Sequence, residues 1–154
     1  MEKVTMQESN YPLLAAASLS FIAALAHVAI ILGGAEWYRF FGAGEDMATM
    51  AEAGSVYPTL ITAFIALCLS VMGLYALSGA GVIVRLPLLP AVLVVIACVF
   101  CLRAIVGLIL PFVSSQAYIV AQGVAFWIWS SSICLVIGFA YVWGIKQAWG
   151  YWVQ

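Results

Sequence analysis

Residues 35–58 read AEWYRFFGAGEDMATMAEAGSVYP, from Ala35 to Pro58, and hold five of the chain's eleven formally charged side chains: Glu36, Arg39, Glu45, Asp46 and Glu52. On either side lie apolar runs long enough to cross a bilayer. A polar stretch bracketed in this way has to sit at a membrane face, where water can solvate its charges. It caps whatever lies between the flanking segments, and the fold is read outward from it.

The composition agrees. Of 154 residues, 67% are hydrophobic and only 7% charged, whereas a soluble domain carries about a quarter of its residues as charges. Lipid must therefore be the outer solvent. The length allows one domain, and a net charge of -1 gives no reason to expect nucleic acid. The opening MEKVTMQESN mixes acids with a single Lys3, and the run over 11–34 exceeds a signal-peptide core, so it is read as a retained helix. Cys68, Cys98, Cys101 and Cys134 all fall inside apolar runs and say little about redox compartment.

About 20 residues at 1.5 Å rise cross a hydrocarbon core of roughly 30 Å. Four segments meet that test: residues 11–34, 58–78, 87–112 and 117–146. In lipid they must be helices, because an open strand leaves backbone groups unpaired. The expected fold is an all-α, integral membrane four-helix bundle. The glycine-rich connection 78–87 and the shorter one at 113–116 suit antiparallel neighbours. Only the first loop is long, and long loops tend to carry function. Within it, residues 44–54 predict a short amphipathic helix, with Met47, Met50 and Ala51 on one side and Glu45, Asp46 and Glu52 on the other. Ala16, Ser20 and Ala24 form one small-residue row and Ala140, Gly144 and Ala148 another, both expected to mark helix packing.

Lys3, Arg85 and Lys146 fall on one side of this topology and Arg39 on the other. The positive-inside rule then places both termini in the cytoplasm, N-in/C-in, and the long loop outside. Trp37, Tyr38, Phe40 and Phe41 stand at the outer interface level; Trp143, Trp149, Tyr151 and Trp152 stand at the inner one.

The WYRFFGAGE of the first loop, its acidic Met/Ala-rich turn and its Tyr-Pro, together with Tyr75-Ala-Leu-Ser-Gly-Ala-Gly-Val-Ile, resemble a type of small four-helix membrane protein of bacteria. The resemblance implies a bacterial inner membrane, with the long loop periplasmic. It brings no mechanism.

An ionised side chain at mid-bilayer costs about 2.5–3.5 kcal/mol or more, so polar residues in the spans are informative. His27 lies roughly 10 Å below the end of the first helix and Arg103 roughly 13 Å below the end of the third. Gln122 and Thr62 fall in the same half. Two readings stand side by side. One is a polar pocket of His27, Glu36, Arg103, Gln122 and Thr62, with Glu36 as lid or counter-ion. The other is a structural network in which Arg103 pairs with Glu36 or a helix-end carbonyl. Trp37, Arg39, Glu45, Asp46 and Glu52 form a candidate docking surface on the loop.

Cys98 and Cys101 make a C-x-x-C similar to that of membrane thiol oxidoreductases of the vitamin K epoxide reductase type, but the second, loop-borne pair is missing. With one histidine, bis-His haem is excluded and no zinc site is expected; neither metal nor cofactor is assigned. Ser130, Ser131 and Ser132 have no histidine or lysine at their depth. No carboxylate is clearly embedded in a helix, which argues against proton-coupled export. Three function classes remain. The first is a binding protein working with another membrane or periplasmic protein, as an accessory subunit or as an immunity protein against a membrane-active toxin; a homo-oligomer is compatible with it. The second is a lipid- or isoprenoid-handling enzyme, and the third a small-anion carrier. No complete catalytic set is visible, and the first class is preferred.

Overall fold

The computed structural model describes residues 10–152. Among them are five helices: α1 (Tyr11–Phe40), α2 (Glu45–Glu52), α3 (Tyr57–Gly79), α4 (Leu89–Val113) and α5 (Ala117–Trp152). All but α2 are long and apolar enough to cross a membrane. Leu25, Leu32, Val95, Leu102 and Phe139 are among the many large apolar side chains left exposed along them. Apolar surface spread along four helices of this length suits a lipid environment. Lys3, one of the charges used for orientation, lies outside the described residues.

α1 starts where Asn10 caps it. The Asn10 side-chain oxygen accepts the Leu13 N–H at 3.0 Å, and Pro12 in the first turn has no N–H to leave unpaired. The Asn10 amide also donates to the Gly144 carbonyl at 2.8 Å, fastening the start of α1 to α5. A Cβ on Gly144 would stand 2.4 Å from Leu13 Cγ, so glycine there sets how closely the two helices approach.

α1 packs along α3 and α4 along α5, giving two helical hairpins. Between them, residues 80–88 turn tightly. Ser78 Oγ donates to the Val84 carbonyl and accepts the Leu86 N–H, both at 2.9 Å. The main core lies at this end of the molecule and joins all four long helices through residues such as Leu13, Ala76, Leu93 and Tyr141. Ala16, Ser20 and Ala24 are buried, as are Gly144 and Ala148, while Ala140 is half-buried. The second core cluster, at the α2 end, is small: Ile30 and Tyr38 of α1 with Ala48 of α2.

Two long helices are broken by glycine. Gly34 in α1 (φ 65, ψ -151) and Gly123 in α5 (φ 74, ψ 153) occupy backbone conformations essentially closed to other residues. The break at Gly34 coincides with the expected end of the first span. The expected uninterrupted helix over 117–146 is corrected at both ends. It breaks at Gly123, because apolar length does not report a backbone angle, and it runs on to Trp152. The 29 residues after the break, 124–152, extend about 44 Å, more than the roughly 30 Å of a hydrocarbon core.

Candidate functional site

The break at Gly34 redirects residues 35–40 and sets the site at the α2 end. Gly33 lies beneath Trp37, where a Cβ would stand 2.1 Å from the indole. Tyr38 turns inward and is 2% exposed, and its hydroxyl has no hydrogen-bond partner among the described residues. Arg39 turns toward α2. Its Nε and Nη2 donate to the two Glu45 oxygens at 2.9 and 2.6 Å, a bidentate fork. Nη1 donates to Glu52 at 2.7 Å and to Glu36 at 3.2 Å. One guanidinium thus gathers three carboxylates, two of them from α2. Arg39 holds the Glu45 carboxyl below the usual carboxylate range through these hydrogen bonds, against a smaller opposing effect of desolvation.

Gly42 and Gly44, both with positive φ, carry the chain from α1 into α2. The Gly42 carbonyl accepts Gln122 Nε2 at 3.0 Å and Tyr118 OH at 3.5 Å. A Cβ on Gly42 would stand 2.2 Å from the Phe126 ring. The short piece of α5 before Gly123 is therefore a strap over the loop. Outside it, Phe41 stacks near Trp37 (5.7 Å) and edge-on to Phe40 (5.1 Å). These three rings and Glu36 line a shallow cavity of about 410 Å³. Asp46 is exposed and stays outside the Arg39 cluster.

The intramembrane residues do not join this cluster. Arg103 donates from Nη1 to Ser131 at 3.3 Å and from Nη2 to Ser130 at 3.4 Å. Its guanidinium carbon sits 5.3 Å from the centre of the Trp127 ring. His27 Nδ1 lies 2.7 Å from the Ala23 carbonyl one turn back; a carbonyl only accepts, so Nδ1 carries the proton. Thr62 is buried on α3. Of the two partners considered for Arg103, Glu36 or a helix-end carbonyl, neither is met among the described residues, and the two serine hydroxyls take their place. Glu36 lies beyond the Gly34 break with its side chain 85% exposed, whereas Arg103 is ten residues inside α4. Among the described residues, no hydrogen bond links Arg103 to His27, Thr62 or Gln122.

Three features carried no strong sequence signal. The serines that hold Arg103 were visible as a run, but a partner 27 or 28 positions away was not. Gly107 was silent, although a Cβ there would stand 2.1 Å from Ser131 Oγ and 2.3 Å from Arg103 Nη1. Tyr141 was silent as well, and it bonds α5 to both α1 and α3. All four cysteines are free, and Cys98 is exposed on α4.

Four membrane-length apolar helices with a polar cap at one end are the make-up of a multi-pass membrane protein. No protein-family model, no curated protein and no solved structure matches the chain.

Proposed function

We propose that this chain is a small binding protein of a bacterial inner membrane, with both termini cytoplasmic and the α2 end facing the periplasm. There it docks a second membrane or periplasmic protein, as an accessory subunit or as an immunity protein. Arg85 and Lys146 at the opposite end support this orientation against Arg39 alone. The observation that carries the reading is the Arg39 cluster. It fixes residues 36–52 as a shaped surface while Trp37, Phe40, Phe41 and Asp46 stay exposed. A preshaped surface loses little ordering entropy on binding, and exposed aromatic side chains are the usual anchors of an interface.

The enzyme reading is less well supported, since His27, Arg39 and Arg103 belong to separate hydrogen-bond groups. A photo-crosslinking residue at Asp46 or at Phe40, compared with one at Val84 on the opposite end, tests the proposal in native membranes. A discrete adduct is expected from the α2 end alone, lost on Arg39→Gln. An adduct of twice the chain mass identifies a second copy as the partner. Equal adducts from both ends, or none from the α2 end, would refute the docking surface.

A further inference from the structure

We infer that Arg103, Ser130, Ser131 and Trp127 form a binding site for the oxyanion head of an amphiphile, a carboxylate or phosphate entering from the lipid side. The inference is independent of the docking surface at α2.

Arg103 is the fifteenth of the 25 residues of α4. It lies roughly 15 Å from Val113 and roughly 21 Å from Leu89 along the helix. An unpaired charge in hydrocarbon is costly. Yet its partners are neutral: two hydroxyls at 3.3 and 3.4 Å and one aromatic face. Among the described residues every ion pair belongs to Arg39, and none to Arg103. Of its five N–H donors, two are occupied, and by long bonds.

The surroundings hold the group in place without neutralising it. Trp127 is buried, and its own N–H donates to the Ile119 carbonyl at 3.1 Å, fixing the ring under the guanidinium. Gly107 leaves the space in which Nη1 and Ser131 Oγ meet. Ser130 directs its proton to the Trp127 carbonyl at 3.4 Å and so receives Nη2 on a lone pair. A planar fork backed by an aromatic ring is geometry suited to carboxylate or phosphate oxygens.

The rest of the ligand is indicated by what flanks Arg103. It is itself half-buried, which leaves it a free side. Val99 and Val106, at i-4 and i+3 on the same face, are 48% and 51% exposed. A head bound at Arg103 would lay its hydrocarbon along these valines. Arg103 is thus a fixed cation with an apolar track beside it, opening to the lipid.

The test uses the full chain purified in a neutral detergent, following intrinsic tryptophan fluorescence. The probes are dodecyl phosphate, inorganic phosphate and dodecyltrimethylammonium. Dodecyl phosphate is expected to bind saturably, with affinity about tenfold or more weaker in Arg103→Gln. Gly107→Ala keeps the charge but displaces the guanidinium and Ser131, and is expected to weaken binding similarly. It decides the question if Arg103→Gln does not fold. Binding of dodecyl phosphate without inorganic phosphate supports a lipid source; binding of both supports the same oxyanion site with free anion as a second source. The inference is overturned if the cationic amphiphile binds equally well, if no probe binds, or if affinity is unchanged in the folded variants.

Discussion

The Tyr141 hydroxyl donates to the Met72 carbonyl at 2.9 Å, across the main core from α5 to α3. Its single proton is thereby used, so the Ser20 hydroxyl 3.0 Å away must donate to it, adding α1 to the same knot. Tyr141→Phe is expected to destabilise the folded protein by about 0.6–1.7 kcal/mol, the range of interhelical hydrogen bonds in membranes. Adding Ser20→Ala to that variant should cost little more, because the two side chains act as one unit. Unfolding in mixed micelles measures both. Full additivity would mean that the knot is not cooperative.

Gly34 and Gly123 have open space where a Cβ would go. Substitution by alanine there tests the backbone conformation alone. Each change is expected to cost about 1–3 kcal/mol. Gly123→Ala should also release the strap, seen as faster hydrogen exchange at residues 117–122. Near-neutral stability in both variants would show that straight helices are equally acceptable.

Arg39 links α1 to both ends of α2, and an exposed cluster of this kind contributes more to local order than to global stability. Arg39→Gln is expected to leave the thermal midpoint nearly unchanged while amide exchange over residues 45–52 rises at least several-fold. Unaltered exchange there would show that the apolar contacts of Ala48 and Met47 suffice to hold α2.

The docking of α2 should depend on pH through Glu45. Its carboxyl is held below the ordinary value of 4.5 in the docked state, chiefly by the hydrogen bond from Arg39. Released α2 therefore binds the proton more readily than docked α2. The stabilisation is fully present above pH about 4.5, declines as pH falls through the depressed value, and is gone below it. Protection of residues 45–52 should persist under mildly acidic conditions and fail only in stronger acid. Glu45→Gln should flatten that profile, and an unchanged profile would exclude Glu45 as its origin.

The four spans and the first loop were legible because apolar length and charge placement are properties of contiguous sequence. The expected start of the second span at residue 58 lies within one residue of the head of α3, where Pro58 stands in the first turn and has no N–H to leave unpaired. Gly123 was visible as a residue but not as a break, since a glycine in a membrane helix can as well serve close packing. The candidate site was legible only as an inventory. Arg39, Glu45 and Glu52 were read as part of a docking surface and Glu36 as the lid of a separate pocket, yet the convergence of the three carboxylates on the Arg39 guanidinium depends on how α2 folds back against α1.

By itself, then, the sequence determined the solvent and the number of crossings: with 7% of its residues charged, the chain can bury its backbone polarity in lipid only as helices. Tertiary structure decided which polar groups meet. Arg103 takes Ser130 and Ser131 across the α4–α5 hairpin in place of Glu36, and Arg39 takes the carboxylates that the loop presents. Hydrogen bonds act over about 3 Å, and only the packing of helices distant in sequence brings such partners within that reach.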